Sequence, residues 1–291
     1  MKMLTFANRN VKEILRDPLN LFFGLGFPLV LIFLLSIIQA NIPAEAQMVL
    51  FEIQHLTPGV TVFGLSFMTL FSATLIAKDR GTALLQRLYT TPLTPVDFIL
   101  GYTLPILPLS VAQSAICYAV ALLLGLTPSL NILFALVTVI PVALLYIALG
   151  LLFGSILNVK QVGGVCGSLL TNLSAWLSGI WFDLELVGGV FQRVAHALPF
   201  YHAVELARAT LTGQYSAIPS HLWWVLGYAA VCTVAAVLLF LRQTKPCSST
   251  LTAAALKPAS KILCTPSQLF SKSSVWKICL ICQVWLKLTL K

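Results

Sequence analysis

Apolar residues run in blocks through residues 19–241, and polar residues are confined to the gaps between the blocks. A helix of about 20 apolar residues crosses a hydrocarbon core of ~30 Å. The blocks at 19–38, 57–77, 99–124, 130–157, 163–182 and 222–241 all approach or exceed that length. The pattern therefore predicts an all-α polytopic membrane protein with six transmembrane helices. From Phe98 to Val159 there is no Asp, Glu, Lys, Arg or His. Proline and glycine punctuate the blocks: Gly24, Gly26 and Pro28 predict a bend in the first, and Pro105, Pro108 and Pro141 fall inside the third and fourth. Gly150-x-x-x-Gly154 predicts a close helix–helix approach.

Two segments break the apolar pattern without leaving the membrane region. Residues 1–18 predict an amphipathic helix: Leu4, Ala7, Val11, Ile14 and Leu15 fall on one side. Lys2, Arg9, Lys12 and Arg16 fall on the other, with Phe6 off the apolar stripe. Such a helix lies in a membrane interface with its cations towards water and acidic headgroups. Lys78–Phe98 is a charged, proline-punctuated island between two spans. Within it Leu84, Leu85, Leu88 and Tyr89 gather on one helical face, away from Arg80, Gln86 and Arg87. Thr91-Pro92-Leu93-Thr94-Pro95 then stops the helix, because proline cannot continue it and restricts the residue before it.

Composition sharpens the class. The chain is 58% hydrophobic and 9% charged, against roughly 25% charged in soluble domains. Its formal net charge of +9 suggests nucleic acid until it is located. Residues 242–291 carry eight Lys and Arg and no acid, so nearly all the excess belongs to a basic tail, expected to be disordered. No nucleic-acid partner is expected. The domains read as 1–18, a six-span region over 19–242, and the tail over 243–291. Cys117, Cys166 and Cys232 lie in apolar blocks and read as small hydrophobes, and no disulfide framework or metal site is expected.

Charge also orients the spans. Lys and Arg in the N-terminal segment, the island, the short 158–162 connection and the tail all fall on one side, leaving Arg193 and Arg208 on the other. The positive-inside rule makes the first side cytoplasmic, with both termini and the island there.

Candidate chemistry is sparse. The spans contain no acid–base pair, and the histidines (His55, His196, His202, His221) fall in or near the two outer connections. No G-x-x-x-x-G-K-[ST] phosphate loop exists, so any ATP used must be bound by another chain. Ser66, Thr69 and Ser72 recur at spacing three on the second span. Ser168, Asn172 and Ser178 stand with Thr171 and Ser174 on the fifth. Such residues either let helices pack and bond across, or line a substrate path; both readings stand.

The stretch Asp79-Arg80-Gly81-Thr82, the Leu-rich segment, Thr91-Pro92-Leu93-Thr94-Pro95 and Phe98-Ile99-Leu100-Gly101 resembles the permease family of type-2 ATP-binding-cassette exporters. So does Pro199-Phe200-Tyr201-His202-Ala203-Val204-Glu205-Leu206-Ala207-Arg208. Tyr102 stands after Gly101 where that family commonly has Lys, and Gln86 where it is often acidic. The resemblance covers about residues 1–242. It implies a transport subunit, not an enzyme, that pairs with a second permease subunit (identical or not) and with ABC ATPase subunits that hold ATP and Mg. It further implies that the island is a coupling helix contacting the ATPase through Asp79, Arg80, Gly81, Thr82, Leu84, Leu85, Arg87, Leu88 and Pro92. Ser66, Thr69, Ser72, Ser168, Asn172 and Ser178 would line the path. Pro199, Tyr201, Glu205 and Arg208 would belong to an outer re-entrant segment, the last two as an ion pair or cap. The expected function is export of a hydrophobic drug-like or lipid-like substrate across the cell (plasma or inner) membrane. The competing reading is a transporter not coupled to ATP, or a membrane scaffold.

Overall fold

A computed structural model describes residues 2–43, 49–82 and 95–244, and the described residues form helices joined by short turns. The predicted tail beyond Thr244 lies outside them. Helix α1 is Lys2–Leu15 and α2 is Pro18–Asn41. Helix α3 is Ile53–Gly81, α4 is Pro95–Leu123 and α5 is Asn131–Ile156. Helix α6 occupies 159–177, followed by α7 (Leu184–Val187), α8 (Gly189–Ala197), α9 (Pro199–Thr212) and α10 (Ile218–Thr244). Among these, α2, α3, α4, α5 and α10 are long and apolar enough to cross a membrane. The chain is a multi-pass membrane protein.

Helix α3 is the axis of the bundle. Of its most apolar window 89% is buried, against 17% in α2 and 22% in α10, so the other helices surround it. Its small and hydroxylated residues make this possible. Gly64 leaves room for Gln113 and Pro28, and Gly150 and Gly154 of α5 bring that helix against its backbone. A Cβ on Gly150 would stand 2.6 Å from the Thr69 carbonyl oxygen, and one on Gly154 2.8 Å from Ala73 Cα. The Gly-x-x-x-Gly pattern is thus the α3–α5 seam.

Two helices are interrupted by π-helical turns, at Phe22–Gly26 in α2 and Gly163–Leu170 in α6. In α2 the widened turn directly precedes Pro28, whose ring clashes with a regular turn and whose nitrogen cannot donate. In α6 the Thr171 hydroxyl donates to the Cys166 carbonyl five residues back at 2.9 Å, taking up part of the widened ladder. The block at 163–182 is therefore a regular start (Val159–Val162), a π segment and a short helix ending at Leu177. Gly179, at φ 71°, turns the chain there, five positions after Ser174 and short of the predicted end.

Candidate functional site

The α3 end next to the island is built around one buried carboxylate. Asp79 is 1% exposed, an expensive place for a charge unless it is paired and fully hydrogen-bonded. Arg9 of α1 supplies a forked pair, Nη1 to Oδ2 at 2.6 Å and Nη2 to Oδ1 at 2.8 Å. The Tyr102 hydroxyl of α4 donates to Oδ2 at 2.6 Å. Burial pulls the Arg9 guanidinium down, but the hydrogen bonds and charge of Asp79 outweigh it and hold the group above its ordinary value. Arg9 also pairs with Glu13 and donates to the Asn10 side chain at 2.9 Å. One ionic node thereby ties three helices that are far apart in sequence.

A notch in α4 explains why α1 sits where it does. Pro105 has no N–H, so the Gly101 carbonyl four residues earlier lacks its helical donor. The buried Asn10 side chain supplies it, Nδ2 donating to Gly101 O at 3.0 Å. Gly101 also makes the space, because a Cβ there would overlap the Phe6 ring. Phe6 instead packs edge-on against Tyr102, ring centroids 5.0 Å apart. This corrects the predicted face of α1. The inward residues are Phe6, Ala7, Asn10 and Ile14, while Leu4 and Leu15 point outward. Arg9 is turned to Asp79, with its side chain still partly exposed.

The neighbouring island residues brace the same corner. Arg80 Nη1 donates to the Gly154 and Leu157 carbonyls at 2.8 and 3.3 Å, closing the end of α5. Lys78 pairs with Asp17 at 3.4 Å, and Asp17 caps the start of α2 by accepting from Asn20 N at 3.3 Å. Thr82 follows the helix, its hydroxyl donating to the Asp79 carbonyl at 3.1 Å, and Gly81 faces open space. Leu84, Leu85, Arg87, Leu88 and Pro92 lie outside the described residues.

The predicted polar rows divide. Ser66, Thr69 and Ser72 are fully buried. Thr69 donates to the Tyr146 carbonyl at 2.8 Å and Ser72 to the Ile147 carbonyl at 3.3 Å, both across the α3–α5 seam, while Ser66 bonds within its own helix. Ser178 is buried and bonds back to Ala175. Asn172 and Ser168 are both exposed on α6, joined by an amide–carbonyl bond of 2.8 Å.

At the opposite end of the bundle, Pro199 opens α9, where a missing N–H costs nothing. Glu205 and Arg208 form an ion pair at 3.0 Å, and Arg208 Nη2 donates to the Gly179 carbonyl at 3.1 Å. The pair therefore also caps the end of α6. Tyr201 stacks on His196 with centroids 4.2 Å apart. Burial, then the charge of Glu205, pushes the Tyr201 phenol up. His202 is sandwiched beside Trp224, with Nε2 2.9 Å from the His196 carbonyl and Nδ1 2.8 Å from His221 Nδ1. A carbonyl only accepts, so Nε2 carries the hydrogen and neutral His202 accepts from His221 through Nδ1. Among the described residues no group of three His, Cys, Asp or Glu is placed to hold a metal ion.

Sequence reasoning missed Asn10, Tyr102 and the Phe6–Gly101 contact. The available signal was chemical: Asp79 is an acid at the end of a span and needs partners, and Pro105 exposes the carbonyl of residue 101.

With this geometry in place, comparison with known proteins is specific. The family model described as ABC-2 type transporter matches residues 1–212, which takes in α1 through α9. No curated protein matches the chain.

Proposed function

The chain belongs to the ABC-2 type transporter family, and from that premise we propose that it is the permease subunit of an ATP-driven exporter. Membrane domains of this family are transport subunits without catalysis of their own, and they normally work with ABC ATPase subunits. In this reading the ATPases are separate chains that bind ATP and Mg, and a second permease subunit completes the path. The 159–177 helix with its continuation is the fifth of six spans, both termini and the island are cytoplasmic, and the protein resides in the cell membrane.

The observation that carries the proposal is the node at Asp79. Asp79 stands at the start of the island, and the node joins that start to α1 and α4 through Arg9 and Tyr102. A push on the island by an ATPase would then move α1, α3 and α4 as one body, with α1 as the interfacial connecting helix beside the coupler. Leu84, Leu85 and Leu88 would supply the apolar docking face, with Arg87 and Pro92 shaping it. Thr69 and Ser72 hold the moving α3 to α5 while Ser66 bonds within α3, and the exposed Ser168–Asn172 side of α6 offers the polar surface of a path between subunits. The tail plays no part in the reading, and the substrate is a hydrophobic drug-like or lipid-like molecule.

The test is purification of a tagged chain from its native membranes, followed by assay of ATP hydrolysis. An ATPase should co-purify, and its hydrolysis should be stimulated by the chain in reconstituted vesicles. If no ATPase accompanies the chain and none is stimulated by it, the exporter reading fails.

A further inference from the structure

A cavity of about 310 Å³ opens at the end of the bundle opposite the island, between the start of α3, the turn after α6, and helices α7, α8 and α9. Cavities of that size fall at the lower end of the range that takes small organic ligands, about 300–1,000 Å³. Its lining is unbalanced in charge: Asp183, Glu185 and Glu205 contribute carboxylates against one guanidinium, Arg208. Arg208 is already committed, with Nη1 on Glu205 and Nη2 on the Gly179 carbonyl. Its Nε is buried without a partner among the described residues and does not face the cavity. Asp183 accepts from the Glu185 amide at 2.9 Å, which leaves its charge uncompensated. Neither Asp183 nor Glu185 has an ion-pair partner among the described residues. The remaining wall includes Leu184 and the Tyr201–His196 stack, which offer apolar and aromatic surface.

Two uncompensated carboxylates beside an aromatic stack suit a particular ligand chemistry. We propose that this cavity binds an amphiphilic organic cation, an apolar body bearing a protonated or quaternary amine. Asp183 and Glu185 meet the charge, and Tyr201 and Leu184 meet the body. Anions of the same size are disfavoured by the same surplus of negative charge. The proposal deepens the exporter reading by naming the substrate class, and it rests on that reading for the cavity's role as an exit site.

Binding itself can be tested without any ATPase. The full chain in lipid nanodiscs is dialysed against radiolabelled benzyltrimethylammonium or 3-phenylpropionate, with empty nanodiscs subtracted. Saturable binding of the cation and none of the anion is expected. Asp183→Asn with Glu185→Gln should weaken the cation about tenfold or more. Glu185→Gln alone, at an exposed residue whose side chain makes no bond among the described residues, should weaken it in part. Cation binding unchanged in the Glu185→Gln and double variants, or anion binding as strong as cation binding, overturns the proposal. Export measured separately with an ATPase keeps the two readings apart. Cation binding without export sinks the exporter reading alone, and export without cation binding sinks this site alone.

Discussion

Replacing Arg9 with Ala removes the two charge-assisted bonds at 2.6 and 2.8 Å and leaves Asp79, whose side chain is 2% exposed, with the single bond from Tyr102. Breaking a buried ion pair by deleting one partner costs about 3–5 kcal/mol, because the other charge stays buried. The Arg9 side chain is 36% exposed, so water can reach part of the vacated space. The expected loss is therefore somewhat below that range, about 2–3 kcal/mol. Asp79→Ala should cost a similar amount, since it takes their shared carboxylate from the guanidinium and the Tyr102 hydroxyl together. The double variant removes both charges at once and should cost less than the two single losses combined, by at least ~1 kcal/mol. Reversible unfolding of the purified chain in mixed micelles, titrated with sodium dodecyl sulfate and followed by tryptophan fluorescence, measures all four corners of the cycle. Additivity within about 0.5 kcal/mol would show that Arg9 and Asp79 do not act on each other. The account of how α1 is held to the bundle would then be wrong.

Three further outcomes are expected elsewhere in the chain. Gly101→Ala should destabilise by about 1–3 kcal/mol through overlap with Phe6, and Phe6→Ala in the same chain should relieve part of that loss in the same titration. Replacing Leu84, Leu85 and Leu88 with Ser should abolish stimulation of the ATPase while membrane insertion, read by protease protection, stays intact; undiminished stimulation refutes the coupling assignment. Burial, with the neighbouring His221 and His196 charges, holds His202 down to about 4 against the pull of the His196 carbonyl. Between about 6.5 and 4 the unfolded chain takes up a proton that the folded chain refuses, so stability should fall as pH falls through that window and level off below it. His202→Gln should flatten that slope in thermal unfolding measured from pH 7.5 to 4.

Much of this molecule was legible because burial in a membrane is written in composition. With backbone donors satisfied internally, a block of apolar residues becomes a helix wherever it stands, and the blocks at 19–38, 57–77, 99–124, 130–157 and 222–241 have counterparts in α2, α3, α4, α5 and α10. The glycine pair at 150 and 154 announced a close approach, though not which helix would come close. The block at 163–182 was harder, because periodicity carries no sign of where a ladder widens into a π segment. The helical wheel misplaced α1 for a related reason. It ranks faces by hydrophobicity, whereas the docked face was selected by a glycine and an orphaned carbonyl on another helix.

The division follows from range. Apolar length, proline and charge asymmetry act within one segment or on one boundary with lipid, and they determined on their own that this is a helical membrane protein with a charged island between two spans. The resemblance carried in Asp79–Thr82 and Thr91–Pro95 likewise needed no coordinates. What only the tertiary structure decided is which groups meet: Arg9, Asp79 and Tyr102, separated by 70 and 23 residues, close into one node. Tyr102, a departure from the family pattern when read along the chain, is the hydroxyl that completes the solvation of a buried carboxylate. A charge removed from water must find its partners in space, and sequence spacing cannot say which of several distant donors will reach it.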